Sequence, residues 1–416
     1  MGTSILIKLI TCQAAGKWIA CNHTHDWLIT MLRPEYQNGS IVNLMASILD
    51  GLGDQSNHHL PLKQLDKNLF DRAQNIALIV IDGLGLRYLS EHGQRSTLCR
   101  HLHSQLTTVF PSTTATAITT FMTGMAPQQH GLTGWFTYFH ELGSIITVLP
   151  FRPRYGGPSL SELNIDVQSL YGHTPVFDLL DVDSFIITPD SIAYSDYSLA
   201  HRGKANIVPY QTLSECFTKT SDIIKNNKQR KYTYSYWPLF DGMAHEKGVG
   251  SKEVANHFLE IDKAFSQFIE DIKGTNTLVI VTADHGIIDS GPDFCIELEN
   301  HPELQDMLTM PLSGERRMAY CYVDSNRHDD FEAYIRANFS DQITIHQSKT
   351  ILEQNYYGLG TPHQQLRHRI GDYMLAMNGN YTIMDTIPGE KRFYHIGTHG
   401  GLSKDEMLVP LIVVEP

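Results

Sequence analysis

The sequence contains no long apolar run, since no hydrophobic stretch reaches the roughly 18 residues that a membrane-spanning helix needs. No transmembrane segment is therefore expected. Cysteine is also scarce: six residues are spread over the chain without a Cys-x-x-Cys pair, which favours idle or buried thiols over a disulfide framework. Lysine and arginine number 32 against 45 aspartates and glutamates, and the net charge of −13 argues against binding to a nucleic-acid polymer.

A glycine-rich dinucleotide motif is missing as well. The segment Asp82-Gly83-Leu84-Gly85 follows an apolar run but lacks the third glycine of Gly-x-Gly-x-x-Gly, which disfavours a coenzyme-binding α/β protein. The acidic balance does not exclude a small phosphorylated substrate as the partner, because bound cations reverse the local field. A hydrophobic fraction of 42% is enough for a sizeable core.

Residues 1–30 carry no convincing targeting signal. Ser4–Ile10 is apolar, but Lys8 interrupts it and it is too short for the hydrophobic part of a signal peptide. A soluble, cytoplasmic protein is therefore favoured, with a secreted or periplasmic location left open. We interpret residues 1–30 as an extension that the fold does not require and that is open to disorder, and the true start is either Met1 or Met31.

Continuous aliphatic runs indicate strands that are buried on both faces, as in parallel sheets. The clearest are Ile76–Ile81 and Thr277–Val281, and helical patterns lie between the predicted strands. This alternation predicts an α/β fold with a doubly wound, mostly parallel sheet. The further predicted strands are Ser184–Thr188, Tyr232–Trp237 and Val409–Val414, and the main predicted helices are Ile41–Leu52, Thr114–Thr123 and Val254–Ile272.

The segment 287–390 has a different pattern. It begins with a polar stretch rich in turn-forming residues, and then shows a strand at Met318–Val323, a helix at Asp329–Asn338 and a second strand at Ile343–His346. We interpret it as a smaller α+β module inserted into a core made of residues 31–286 and 391–416.

Candidate metal ligands follow several of these elements. Asp82 comes directly after one buried run, and Asp284-His285 follows another; the carboxyl ends of parallel strands are where such sheets bind ligands. Asp241 and His245 are four residues apart, so on a helical turn they point the same way. His399 lies between glycines in Gly397–Gly401. Three aspartates, three histidines and a hydroxyl suit two divalent cations bridged by a nucleophile.

The hydroxyl is expected at Thr113 or Thr114, just where a predicted helix begins. A hydroxyl at a helix N-terminus meets free backbone N–H groups and the positive end of the helix dipole, and both favour an attacking alkoxide and a bound phosphoryl oxygen. From this segment alone, an ordinary N-terminal cap is the favoured explanation of the two threonines.

Taken together, these segments resemble the alkaline phosphatase superfamily, closest to its type I phosphodiesterase/nucleotide pyrophosphatase branch. The resemblance covers roughly residues 31–416. It is carried by Val80–Gly83, Phe110–Thr114 through Met122–Gly124, His130-Gly131-Leu132, Asp241–His245, Thr282–Gly286, and Gly397–Gly401 with Glu406-Met407 and Val409-Pro410.

The resemblance implies an alkaline-phosphatase-like fold and two zinc ions. Asp82, Asp284 and His285 would hold one ion, with Thr114 touching it as nucleophile, and Asp241, His245 and His399 would hold the second. Thr114 is preferred because it lies ten residues before Gly124, the interval found in the superfamily, and Thr113 stays an alternative. The nitrogen and oxygen ligands suit Zn²⁺ and tolerate Mn²⁺ or Fe²⁺.

One position departs from the family pattern. Related nucleotide pyrophosphatases carry an asparagine that donates to a phosphoryl oxygen, and here that position is Trp135. Trp135, Arg152 and Arg154 are candidate substrate-binding residues.

The predicted function is hydrolysis of phosphate diesters or nucleotide pyrophosphate bonds through a phosphothreonine-type intermediate. Alternatives are a phosphomonoesterase or phosphonate hydrolase of the same superfamily, or an inactive binding homologue. A formylglycine sulfatase is disfavoured because no Cys-x-Pro-x-Arg motif is present.

Overall fold

The computed structural model describes residues 31–54, 59–226 and 229–415, together with the backbone of two short strands near the N-terminus. Most of the predicted extension 1–30 lies outside the described residues. Among the helices described, none combines the length and the apolar character that crossing a membrane requires.

The strands of the described part form two large sheets and several two-stranded pairs. In chain order they are β1 (Gln13–Ala14), β2 (Lys17–Trp18), β3 (Asn75–Ile81), β4 (Leu102–Thr107), β5 (Phe136–Phe139), β6 (Ser144–Thr147), β7 (Arg152–Pro153), β8 (Asp183–Pro189), β9 (Asn206–Tyr210), β10 (Lys231–Trp237), β11 (Thr277–Thr282), β12 (Ile288–Asp289), β13 (Cys295–Glu297), β14 (Ser313–Glu315), β15 (Met318–Cys321), β16 (Ile343–Gln347), β17 (Tyr373–Met377), β18 (Thr382–Met384), β19 (Gly397–Thr398) and β20 (Leu408–Val414).

The helices lie mostly between strands of the first sheet. In chain order they are α1 (Ile41–Gly51), α2 (Lys67–Arg72), α3 (Leu86–His92), α4 (Thr97–Arg100), α5 (Thr114–Thr123), α6 (Pro127–His130), α7 (Val167–Tyr171), α8 (Val176–Leu179), α9 (Asp190–Ala193), α10 (Asp196–His201), α11 (Leu213–Lys225), α12 (Leu239–Lys247), α13 (Lys252–Asp271), α14 (Pro302–Asp306), α15 (His328–Phe339), α16 (Ser348–Glu353), α17 (Leu366–Arg369) and α18 (Lys404–Met407). Short 3-10 helices occur at His140–Leu142, Pro292–Phe294 and Leu298–Asn300.

The first sheet has the order β4-β20-β11-β3-β10-β8-β9. Strands β11, β3, β10, β8 and β9 are parallel, and β20 runs antiparallel to both of its neighbours. Every residue of β3, β10 and β11 is buried, which requires cover on both faces of the sheet. The predicted mostly parallel α/β fold is confirmed.

Register brings the ends of the central strands together. Ile81 of β3 lies opposite Trp237 of β10, and Val80 lies opposite Thr282 of β11. The residues that follow these three strands therefore leave the sheet at one edge. The segments that carry Asp82, Asp241 and Asp284 start there.

Helix α5 is buried along its whole length and occupies the predicted range. It ends at Gly124, whose φ of 68° is in the left-handed region, as predicted for the residue after a helix. The hydroxyls at its first turn are consequently held in the interior beside the sheet edge.

The second sheet is antiparallel, in the order β16-β17-β15-β14-β5-β6-β7. It takes three strands from residues 136–153 and four from 313–377. The division into an inserted module at 287–390 and a core at 31–286 and 391–416 stays a prediction. The strands predicted at 318–323 and 343–346 and the helix predicted at 329–338 are confirmed with small shifts of their ends.

Candidate active site

Two groups of buried side chains meet at the carboxyl edge of the parallel sheet. Asp82 follows β3, and Asp284 and His285 follow β11; these three form the first cluster. Asp241 and His245 lie on α12, after β10, and meet His399 in the second cluster. Within each cluster, one ligand atom from each residue lies within 4.8 Å of the others.

In the first cluster, His285 Nε2 lies 3.4 Å from Asp82 Oδ1 and 3.3 Å from Asp284 Oδ2. The second oxygens of the two carboxylates are occupied. Asp82 Oδ2 accepts a short hydrogen bond from the Tyr236 hydroxyl, and Asp284 Oδ1 accepts from the backbone N–H of Gly83 at 3.1 Å. Each aspartate is thus fixed by one oxygen and presents the other to the cluster.

In the second cluster, His245 Nε2 lies 3.0 Å from Asp241 Oδ2 and 3.2 Å from His399 Nε2. His399 Nε2 lies 3.8 Å from Asp241 Oδ1. The predicted four-residue spacing on a helical turn therefore places the Asp241 carboxylate and the His245 imidazole against the same imidazole of His399.

The three imidazoles are oriented by backbone carbonyls. The Nδ1 atoms of His245, His285 and His399 face the carbonyl oxygens of Gly397, Gly286 and Ser112, at 2.8, 3.1 and 3.2 Å respectively. A hydrogen bond donated from Nδ1 fixes the tautomer whose Nε2 carries a lone pair for a metal.

Buried oxygens without partners show that this donor set fits cations. Asp82 Oδ1, Asp241 Oδ1 and Asp284 Oδ2 are buried and have no hydrogen-bond partner among the described residues. Buried polar atoms are ordinarily satisfied, and leaving a carboxylate oxygen unpaired is costly. Three such oxygens beside three oriented imidazole nitrogens are the surroundings that divalent metal ions require.

The carboxylates and imidazoles of the two clusters have shifted pKa values. Burial, and then the charges of Asp284 and Asp241, raise the pKa of Asp82 well above its usual range. The pKa of Asp284 is also raised, mainly by burial. Burial acts in the same sense on Asp241, but the neighbouring His245 outweighs it and lowers the Asp241 pKa. Burial and His285 hold the pKa of His399 well below its ordinary value.

The two candidate hydroxyls have different surroundings. Thr114 Oγ1 lies 3.1 Å from His285 Nε2 and therefore borders the first cluster. Thr113 is the residue before α5, and its hydroxyl donates to Glu315 Oε1 at 2.6 Å instead of capping the helix.

A cavity of about 890 Å³ opens over both clusters. Its lining includes Thr114, Asp82, Asp241 and two of the three predicted substrate-binding residues, Trp135 and Arg152. The cavity is therefore large enough for a phosphoryl group together with a sizeable organic substituent.

Arg154, the third predicted substrate-binding residue, has a structural role instead. Its guanidinium is buried and makes ion pairs with Asp385 at 2.7 Å and Glu390 at 2.9 Å. It also donates to the Leu312 carbonyl and lies over the Phe136 ring. Because each of its nitrogens is already engaged within the protein, a contact of Arg154 with the substrate would require these bonds to break, and it stays a prediction.

The cavity lining also includes polar residues that the sequence analysis did not predict, among them Tyr236, Glu315 and His395. Tyr236 stands at the end of a predicted strand, so a register between that strand and Ile76–Ile81 would have placed it beside Asp82. Glu315 arrives from the antiparallel sheet, and no sequence signal links it to Thr113. Burial raises the pKa of Glu315 to about 7, against hydrogen bonds from Thr113 and Trp135 that lower it.

Comparison with known proteins agrees with this arrangement. The sequence profile of the type I phosphodiesterase/nucleotide pyrophosphatase family matches residues 76–402, so the chain belongs to that family. The resemblance to this branch of the alkaline phosphatase superfamily is confirmed, and it supports a hydrolase of the phosphodiesterase/pyrophosphatase or phosphonate hydrolase type. A search of curated protein sequences gave no match.

Solved structures with the same fold are distant in sequence. Human ectonucleotide pyrophosphatase/phosphodiesterase 5 is 19% identical with a TM-score of 0.62, covering 82% of this chain and 88% of that protein. The murine protein is 17% identical with a TM-score of 0.61, at 82% and 88% coverage. Phosphonoacetate hydrolase from Sinorhizobium meliloti 1021, bound to phosphonoformate, is 17% identical with a TM-score of 0.59, at 82% and 90% coverage.

Proposed function

We propose that the protein is a two-metal hydrolase of phosphate diesters or nucleotide pyrophosphate bonds, with Thr114 as its nucleophile. The observation that carries the proposal is the set of three unpartnered, buried aspartate oxygens beside three oriented histidine Nε2 atoms. Imidazole nitrogens lie 3.3–3.8 Å from these oxygens but donate no hydrogen bond to them, whereas buried carboxylates are normally satisfied.

Asp82, Asp284 and His285 would hold one ion, and Asp241, His245 and His399 would hold the other. The nitrogen and oxygen donors suit Zn²⁺ and are also compatible with Mn²⁺ or Fe²⁺. When bound, the ions offset the carboxylate charges, lower the pKa of a coordinated hydroxyl and stabilise charge on the oxygens of the substrate.

Thr114 then performs the covalent step. Its Oγ1 gives up its proton to solvent and attacks phosphorus. An Oγ1–P bond forms, the bond between phosphorus and the leaving-group oxygen breaks, and the departing oxygen takes up a proton from solvent. Water next attacks phosphorus, the Oγ1–P bond breaks with return of a proton to Thr114, and the product is released. The first backbone N–H groups of a helix lack intrahelical partners, so those of α5 are donors for a phosphoryl oxygen.

The same chemistry serves a phosphonate hydrolase or a phosphomonoesterase. A similar fold binds phosphonoformate in the bacterial phosphonoacetate hydrolase, and the murine protein has been solved as an inactive variant with AMP. Relative turnover of a nitrophenyl diester, a nitrophenyl monoester and phosphonoacetate separates these activities.

The test combines metal analysis with turnover. We expect two ions per chain after incubation with zinc, and hydrolysis of a nitrophenyl phosphodiester that Thr114→Ala abolishes without loss of metal. Thr116→Ala is the matched control, because this threonine is buried two residues further along α5 and its hydroxyl has no partner among the described side chains. Fewer than one ion per chain, or full activity of Thr114→Ala, would contradict the proposal.

A further inference from the structure

A glutamate from the antiparallel sheet reaches the start of helix α5. Glu315 is the last residue of β14, and its Oε1 accepts hydrogen bonds from Thr113 Oγ1 and from the backbone N–H of Trp135, both at 2.6 Å. The side chain lines the same cavity as Thr114. A carboxylate is therefore anchored one residue away from the proposed nucleophile.

The position of this carboxylate is fixed by close packing. A side chain at Gly400, next to the proposed ligand His399, would place its Cβ 2.7 Å from Glu315 Cβ. Gly400 also has a φ of +112°, which disfavours other residues. The two hydrogen bonds and this contact hold Glu315 against the site, so its charge acts at a defined place.

No basic side chain neutralises Glu315 within the described part of the chain, where it forms no ion pair. Arg316, its neighbour in sequence, donates instead to the Phe393 carbonyl at 2.7 Å. Arg154, which follows β7, is paired with Asp385 and Glu390. The carboxylate therefore faces the cavity without an ion-pair partner, and Arg316 and the cluster histidines act on its charge only through space.

The sum of charges at the site predicts how the Glu315 carboxylate affects a bound substrate. Two divalent cations are already offset by the three aspartates of the clusters and by a deprotonated Thr114. Above its pKa of about 7, Glu315 adds a further negative charge beside the place of the phosphoryl group. A phosphate monoester carries nearly two negative charges near neutral pH, whereas a diester carries one, so the monoester meets the stronger repulsion.

We propose that Glu315 is a specificity-determining residue that disfavours doubly charged phosphate monoesters and thereby selects singly charged diesters. This inference rests on the proposed hydrolase function. The backbone N–H of Trp135 helps to hold this carboxylate in place.

The test compares kcat/KM for a nitrophenyl monoester and a nitrophenyl diester in the zinc-loaded enzyme. Glu315→Gln preserves the size of the side chain and an oxygen that accepts hydrogen bonds, so only the charge is lost. We expect its monoester-to-diester ratio to rise on the order of tenfold or more. Glu315→Asp keeps the charge and should keep the ratio near that of the wild type. Glu353→Gln, which removes an exposed carboxylate paired with Lys349, is the remote control.

The results separate this inference from the proposed function. A ratio for Glu315→Gln within twofold of the wild-type value, with thermal unfolding and metal content unchanged, would overturn the role of Glu315 and leave the hydrolase intact. Preference of the wild-type enzyme for the monoester would also overturn it, even if neither variant folds. Absence of metal and of turnover of any phosphate ester in the wild type would instead overturn the proposed function.

Discussion

The imidazole rings of His285 and His399 are stacked, with centroids 3.7 Å apart and an angle of 20° between their planes. Each ring belongs to a different cluster. In the sequence, His285 precedes and His399 follows the segment 287–390. The two clusters therefore lie in contact with each other, close enough for one substrate to contact both. This adjacency underlies the predictions below.

Thr114, not Thr113, is expected to carry the covalent phosphoryl group. Acid quenching during turnover of a phosphodiester, followed by peptide mass spectrometry, should locate the modification on Thr114. Thr114→Ala should lower kcat by a factor on the order of 10⁴ or more, since a nucleophile cannot be replaced by its neighbours. Thr113→Val removes only the hydrogen bond to Glu315 and should cost about tenfold or less. Modified Thr113 would reverse the assignment.

The contribution of Asp82 to the stability of the metal-free protein should fall as pH rises. Burial and the charges of Asp284 and Asp241 raise the folded-state pKa of Asp82 well above its unfolded value of about 4. A raised pKa gives stability that is complete below the unfolded value and is lost as pH rises through the folded one. In EDTA, the Tm of the wild type relative to that of Asp82→Asn should therefore decrease from about pH 4 towards neutrality.

Replacing the Asp82 carboxylate tests whether it causes this pH dependence. Asp82→Asn should flatten the pH dependence and raise the metal-free Tm at neutral pH by about 2–4 °C, while weakening stabilisation by zinc. Asp306→Asn, on an exposed side chain, should behave like the wild type in both respects. If Asp82→Asn instead lowers the metal-free Tm at neutral pH, the carboxylate stabilises the fold and the prediction is wrong.

Tyr236 is expected to tune metal affinity without touching the metal. Its hydroxyl donates to Asp82 Oδ2, which leaves Asp82 Oδ1 facing the cluster. Loss of such an orienting partner typically weakens binding by about 10–100-fold, so Tyr236→Phe should do so in a competition with a chromophoric chelator. Tyr232→Phe is the matched control on the same strand, because its buried hydroxyl has no partner in the described structure. Equal affinities of the two variants would remove Tyr236 from this role.

The loop that carries His399 depends on a buried ion pair. Arg317 Nη2 lies 3.0 Å from Glu406 Oε2, and Glu406 Oε1 also accepts from the Gly401 backbone N–H. Arg317→Met leaves the Glu406 charge buried and unpaired, which should lower the free energy of unfolding by about 3–5 kcal/mol in urea titrations. Arg327→Met, which breaks more exposed ion pairs with Asp306 and Asp330, should cost at most about 1 kcal/mol. Similar losses of unfolding free energy in Arg317→Met and Arg327→Met would show that burial of the ion pair does not increase its contribution to stability.

Sequence patterns located the central strands well because their signal is local. Continuous aliphatic runs such as Ile76–Ile81 and Thr277–Val281 need cover on both faces, and they form β3 and β11 with ends within one residue of the prediction. The edge strand Leu102–Thr107 was missed because its first four positions alternate between half-buried and exposed and include polar residues. Strands β5, β6 and β7 were missed because each is only two to four residues long. They pair with one another locally, and only the pairing of Phe136 with Gly314 joins them to a segment far away in the sequence.

The sequence by itself determined the chemical inventory: the aspartates and histidines at strand ends, the threonines before α5 and the family that this order identifies. Only the tertiary structure decided which side chains share a surface. It removed Arg154 into a buried ion-pair network and brought Glu315 to Thr113, because these contacts join segments that no local pattern links. Ligand identity follows from short motifs, whereas the electrostatic surroundings of a site are set by long-range packing.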